Sequence, residues 1–238
     1  MTLFNASLTL RRSVSKAGEN REKLSSYRKR STLRVMHLIP TNDEVIQMLR
    51  DTAALRHGHF AYPNGMHADE YVQVAVAFRH YQHAKILSVG LSRRLRADSE
   101  IRAMIKELSI VCPTTGVPIA YGICEALRAK QVYWAEQDNE SGPLHFKQFI
   151  EPEKGEKVLL VDDILRSGKR LSELRSLVES FGAEVVGLAV AIYQPNPTIR
   201  SFGHLPVFQL AQMDAVYYKD SDSCDLCRKG VPVEKISF

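Results

Sequence analysis

Residues 158–170, Val-Leu-Leu-Val-Asp-Asp-Ile-Leu-Arg-Ser-Gly-Lys-Arg, constrain the fold of this chain more than any other stretch. Val158 to Val161 are continuously apolar, the pattern of a parallel strand buried on both faces. Asp162 and Asp163 then fall at its carboxyl end, the edge of an open α/β sheet where ligands bind. Arg166, Ser167, Gly168, Lys169 and Arg170 follow as a turn that opens a helix, whose first N–H groups and macrodipole favour an anion. The two carboxylates cannot ligate a phosphate, so they suit sugar hydroxyls or a hydrated magnesium ion beside a pyrophosphate. A P-loop is excluded, because Asp163 stands where its first glycine belongs and Arg170 replaces the required Ser or Thr. The plainest alternative makes the acidic pair a cap for the helix.

Ser109-Ile-Val-Cys-Pro-Thr-Thr-Gly-Val-Pro-Ile-Ala120 repeats the strand, tight turn and helix about fifty residues earlier. Gly116 is expected where backbone approaches a ligand too closely for a side chain; read alone, the segment is equally an ordinary βα turn. Strands at 108–112, 131–136, 157–162 and 184–193 alternate with helices at 117–128 and 168–181, which predicts a mainly parallel sheet covered on both sides. A short return strand is expected around Val207–Leu210. Upstream, Thr41-Asn42-Asp43 can cap a helix to about Leu55, and Asp69 can cap another through His80. Between them, Pro63-Asn64-Gly65 is a turn joining two short strands, with Phe60 as a core residue beside it.

Charge separates the chain into two parts. Residues 1–35 hold nine Lys or Arg and two Glu, a net +7, so the remaining 203 residues carry −2 of the chain's +5. This segment has few large apolar residues after Leu10, a composition of disorder rather than packing. It reads as a presequence-like stretch, a nucleic-acid-binding arm, or sequence upstream of the true start, and it is set outside the fold. Nucleic acid enters as a partner only through such an arm. No stretch is long and apolar enough to span a membrane. Of the four cysteines, Cys112 and Cys124 fall on a strand and a helix, where a free thiol packs as a small apolar group. Cys224 and Cys227 have zinc-ligand spacing without a second pair, so a site needs a histidine such as His204 or a second subunit; the favoured reading is a reduced surface turn and no metal ligand set. No disulfide framework is visible, which favours a reducing cytoplasm.

The 158–170 segment resembles the binding motif of the type I phosphoribosyltransferases, an apolar strand leading into two acidic residues and a Thr-Thr-Gly-like turn. His57-Gly-His-Phe-Ala-Tyr-Pro-Asn-Gly-Met-His-Ala-Asp-Glu-Tyr71 looks like the amino-terminal signature of the orotate members, kept by Gly58, His59, Phe60, Gly65, His67 and Asp69. The resemblance implies a mainly parallel twisted sheet flanked by helices, in a domain over 36–238, with a small hood from about 36–80 and 205–238. It implies that Asp162 and Asp163 hold the ribose hydroxyls of phosphoribosyl pyrophosphate, and that Arg166 to Arg170 surround its 5′-phosphate. Thr114, Thr115 and Gly116 would bind the pyrophosphate. The aromatic segment at Phe60 would wall the base pocket, with Arg56 near a cation that contacts orotate. Lys147 is the best candidate for a catalytic cation on the segment after the strand 131–136.

Four departures stand against that pattern. Arg166 and Arg170 replace hydroxyl residues, Gln137 replaces an arginine, and Ser172 stands where an arginine usually pairs with the substrate carboxylate; Arg175, three residues on, can reach the same face. The expectation is a magnesium-dependent transfer of phosphoribose to a pyrimidine-type base, most simply orotate, by a cytoplasmic homodimer. The competing expectation is a sensor that kept the sugar-phosphate site and lost efficient chemistry.

Overall fold

The computed structural model describes residues 38–139 and 142–237, so the basic segment 1–35 lies outside the described residues. Thr41 opens helix α1 (Asn42–Asp51) with a capping box: its hydroxyl accepts from the Glu44 amide, and the Glu44 carboxylate accepts from the Thr41 amide at 2.8 Å. The helix ends short of Leu55, which instead begins strand β1 (Leu55–Ala61). Through Pro63-Asn64-Gly65 the chain returns as β2 (His67–Val72), antiparallel to β1 with a register irregularity between His57 and Phe60. Asp69 is therefore a strand residue and not a helix cap. Its carboxylate accepts from the Val216 amide at 2.9 Å, a tertiary bond that local sequence cannot announce. Helices α2 (Val74–Phe78), α3 (Tyr81–Ala97) and α4 (Ser99–Met104) follow, the last capped by Asp98.

Strand β3 (Ser109–Pro113) then runs through a single 3₁₀ turn, Thr114–Gly116, into α5 (Val117–Leu127). Next come β4 (Val132–Ala135), β5 (Lys157–Leu165), α6 (Lys169–Ser180), β6 (Glu184–Tyr193) and β7 (Val207–Gln212). All five strands are parallel, in the order β4-β3-β5-β6-β7. Their carboxyl ends share one edge. The chain moves from β3 outward to β4 and then crosses back to β5 on the other side of β3, so the crevice between β3 and β5 is the topological switch point. β7, expected as a return strand and as part of the hood, is instead the last parallel strand of this sheet.

Alternation along the strands divides the core in two. Leu159 and Val161 face a core built with α1 to α5, whereas Val158 and Leu160 face a second core that α6 closes with Leu171, Leu174 and Val178. A separate four-stranded sheet, β8-β2-β1-β9, is completed by β8 (Tyr217–Tyr218), a short helix α7 (Asp225–Arg228) and β9 (Glu234–Lys235). Among the described residues no helix is long and apolar enough to cross a membrane.

At the amino-terminal edge of the large sheet, Glu156 is buried and accepts from Ser109, Lys130, Gln131, Tyr133 and the Glu153 amide. Burial alone would raise its pKa, but these donors overcome that and hold it at about 2, below its ordinary 4.5. The folded-state pKa is depressed, so this stabilisation is complete above pH 4.5 and is lost as pH falls toward about 2. Glu156→Gln exchanges charge-assisted bonds for neutral ones and is expected to cost about 1–2 kcal/mol at pH 7. Urea unfolding at pH 7 and pH 3 checks it: the gap between the two chains must narrow at the lower pH.

Candidate active site

The turn after β3 and the turn after β5 meet at the switch point. β5 continues past the acidic pair to Leu165, so Asp162 and Asp163 sit near its carboxyl end, with Asp162 paired in register to Val190 of β6. Asp162 is buried; its Oδ1 accepts from the Thr115 hydroxyl at 3.2 Å and from the Asp163 amide at 2.9 Å. Arg170 reaches over from α6 and donates to the same Thr115 hydroxyl at 3.1 Å. Guanidinium, hydroxyl and carboxylate thus form one chain across the mouth of β3 and β5.

Burial, reinforced by repulsion from Asp163, pushes the Asp162 carboxyl well above the usual carboxylate range. Burial also raises Asp163, opposed by the nearby Arg166 charge. Two adjacent carboxyls kept costly to ionise are poised to accept from ligand hydroxyls or to meet a cation.

Glycine serves two different purposes here. At Gly116 an added Cβ would lie 2.9 Å from the Val161 carbonyl oxygen and 3.2 Å from Asp162 Cα, so the first turn packs directly on the backbone of β5. The close approach expected at Gly116 is therefore to the protein's own strand. Gly168 caps α6 at φ +71°, beneath the Phe202 ring, a backbone conformation that glycine alone adopts without cost. Ser167 accepts from the Lys169 amide, and its carbonyl accepts from the Arg200 amide. The turn is thus held open from the far side by the chain after β6.

These groups border a cleft of about 450 Å³ lined by Thr115, Asp162, Asp163 and the whole run from Ile164 to Leu171. Asp162, Asp163, Arg166, Ser167, Gly168, Lys169, Arg170 and Thr115 are brought together in it as a group. Thr114 is not in the lining, and its hydroxyl donates to the Ala135 carbonyl at 3.2 Å, tying the turn to β4. Arg166 does not plug the cleft. Its guanidinium donates to Gln194 Oε1 at 3.1 Å and to the Val72 carbonyl, and stacks 5.5 Å from the Tyr71 ring, bridging the large sheet to the end of β2.

Four expected residues lie elsewhere. Phe60 is buried against Tyr71, which is the core role and not a pocket wall. Arg56 pairs with Glu234 at 2.6 Å and stacks on Phe60. Arg175 is taken by Glu179 at 2.7 Å, one turn along α6, and by the Phe202 carbonyl. Lys147 pairs with Glu136 at 3.0 Å beside the isolated bridge Glu136–His145 and holds that carboxyl below its ordinary range. In their place the hood-side wall is Val72, Gln73 and Ala75, backbone-placed residues whose side chains carry no chemical signature of a site. A neighbouring hollow of about 590 Å³ shares Gln137, Lys169 and Glu173 with the cleft and adds Ser172 and Arg200, a cation that sequence reasoning missed.

The family model for the phosphoribosyl transferase domain matches residues 90–209, half of the chain. Orotate phosphoribosyltransferase of Thermotoga maritima is 31% identical over 191 residues, 79% of this chain and 95% of that protein. The enzyme of the same name from Carboxydothermus hydrogenoformans is 29% identical over 193 residues, 81% of this chain and 95% of its own. Among solved structures, orotate phosphoribosyltransferase from Aeropyrum pernix superposes with a TM-score of 0.54 at 14% identity, over 71% of this chain and 93% of that one, a likeness of fold.

Proposed function

The chain belongs to the phosphoribosyl transferase family, and from that premise we propose that it transfers phosphoribose to orotate, giving orotidine 5′-phosphate and pyrophosphate. The bond between ribose carbon 1 and the pyrophosphate oxygen breaks, a bond from carbon 1 to the base nitrogen forms, and the proton of that nitrogen is released to the pyrophosphate or to water. One observation carries this reading: the paired carboxyls of Asp162 and Asp163 share a single cleft with the glycine turn that opens α6. The carboxylates accept from the ribose diol and face the positive charge that develops on the ring, while the start of α6 takes the 5′-phosphate. Lys169 and Arg170 add fixed positive charge beside that phosphate.

The same carboxyls fit magnesium, since burial of both, and at Asp162 the repulsion from Asp163, disfavours their negative charge until a cation meets it. Asp162 and Asp163 would hold it through its waters, and the ion would neutralise charge on the departing pyrophosphate. Orotate is taken from the relatives' names and the matching signature at Gly58, His59, Phe60, Gly65, His67 and Asp69. Cys112 on β3 and Cys124 on α5, thiols outside any disulfide, fit a reducing cytoplasm, and we infer a homodimer, which light scattering on the full chain would check.

A second reading, a sensor of phosphoribosyl pyrophosphate, has a specific observation in its favour. Arg166, Arg170 and Lys147 all donate to the protein's own groups, so few cations are left to meet the leaving group. Purified protein with magnesium, phosphoribosyl pyrophosphate and a panel of orotate, uracil and purine bases separates the two. The enzyme reading predicts turnover with orotate above every other base. Saturable sugar-phosphate binding with no turnover of any base contradicts it and leaves the sensor.

A further inference from the structure

Between the hairpin β1–β2 and the C-terminal segment lies a cluster that the transfer chemistry does not use. His59 and His67 come from the two strands of the hairpin, Cys224 precedes α7, and Cys227 lies within it. One nitrogen or sulfur of each falls within 4.8 Å of all the others, and His59, His67 and Cys224 are buried. The cysteine pair does not take His204 as partner, as its spacing had left open, and Cys224 is not at the surface. We propose that His59, His67, Cys224 and Cys227 are the four ligands of a structural zinc ion that clamps the C-terminal segment onto the hairpin.

Three observations support a metal over a dry polar cluster. The first is distance: zinc held tetrahedrally at about 2.3 Å from sulfur and about 2.0 Å from nitrogen sets each sulfur about 3.5 Å from each nitrogen. Cys224 Sγ and Cys227 Sγ each lie 3.5 Å from His59 Nε2, and Cys227 Sγ lies 3.4 Å from His67 Nδ1. The two ring nitrogens stand 2.8 Å apart, a hydrogen bond whose shared proton the ion would replace as the rings separate by about half an ångström.

The second is orientation. His59 Nδ1 lies 2.8 Å from the Val231 carbonyl, which fixes the proton there and leaves the Nε2 lone pair facing the cluster, the usual outer partner of a zinc-bound imidazole. The third is the need for a clamp. From Asp214 to Ser237 the only buried residue is Cys224, β8 and β9 have two residues each, and α7 has four, so apolar burial cannot order this segment. Yet it supplies Glu234 to Arg56 and receives the Ala61 carbonyl at the Ile236 amide. Two imidazoles and two thiolates in a tetrahedral set select zinc among the common divalent ions.

The full chain, purified without chelator, is expected to carry about one zinc per chain by inductively coupled plasma mass spectrometry. Cys224→Ser and Cys227→Ser should each lower that ratio at least about fivefold, whereas His204→Gln, a histidine outside the four, should leave it unchanged. Where a variant does not fold, wild-type protein treated with a strong chelator answers alone: loss of zinc should raise proteolytic cleavage within 214–237 at least about tenfold, and restored zinc should reverse it. Cobalt exchanged for zinc should show the visible bands of a tetrahedral thiolate site. A wild-type chain that carries no zinc and takes none up, a Cys224–Cys227 disulfide or another metal in its place, or cysteine variants with full zinc content would overturn the proposal.

Discussion

Exchanging Asp162 and Asp163 together for asparagine is expected to lower kcat/KM for phosphoribosyl pyrophosphate by about 10³-fold, while raising thermal stability. The loss has two sources: hydrogen bonds from the ribose diol to ionised acceptors, and the fixed negative charge opposite the developing oxocarbenium ion. Removing a group aimed at transition-state charge typically costs about 10²–10³ in rate, and the weaker ground-state contacts add to it. The rise in stability follows from the raised carboxyl pKa values, whose first cause is burial. A carboxyl whose folded-state pKa is raised binds its proton more tightly in the native state, so ionisation destabilises the fold as pH rises above the unfolded value. Asparagine removes that cost and still accepts from Thr115 and the Asp163 amide through Oδ1. Steady-state kinetics and a melting curve at pH 7 check both signs, with the midpoint expected to rise. A fall in both would mean that the pair holds the fold and not a ligand.

Gly116→Ala is expected to have the second largest effect. The new methyl would meet the Val161 carbonyl oxygen at 2.9 Å, Cys112 Cβ at 3.1 Å and Asp162 Cα at 3.2 Å. None of these atoms is the tip of a flexible side chain, so the 3₁₀ turn must withdraw from β5. Overpacking of this kind costs about 1–3 kcal/mol, or a midpoint lower by roughly 2–12 °C for a domain of this size. Withdrawal also lengthens the 3.2 Å bond from Thr115 to Asp162 and misplaces both turns of the cleft, and displacements of about 1 Å near reacting groups cost about 10²-fold in rate. Denaturant unfolding and turnover measured on one preparation check it. Wild-type turnover in Gly116→Ala would show that the packing of this turn on β5 does not set the geometry of the cleft.

Features governed by neighbours along the chain are legible in the residues alone. The apolar run at Val158, the helix cap at Thr41, the turn at Pro63-Asn64-Gly65 and the strand–turn–helix units at Thr114 and Gly168 depend on local sterics and burial. Partner choice over long separations is not. Arg56 is claimed by Glu234, far along the chain, and Asp69 by the Val216 amide, and no spacing rule foretells either. Arg175 is different, because the Glu179 that takes it stands four residues on, a helical spacing that argues against a substrate role. The cysteine pair shows half of its cluster, but the histidines join it only through the hairpin register and the fold of the C-terminal segment. Arg166 shows the same limit: its bridge from Gln194 to Val72 exists only once the two sheets are in place.

On the proposed function, the crevice between β3 and β5 holds a phosphorylated ribose through its acidic pair. Calorimetric titration of the full chain with phosphoribosyl pyrophosphate, with and without magnesium, tests it most directly. Saturable, magnesium-enhanced binding is expected, weakening more than about tenfold, over 1.4 kcal/mol, when Asp162 and Asp163 are both asparagine. Absence of saturable heat from the wild-type chain, or equal affinity in the two, would contradict it.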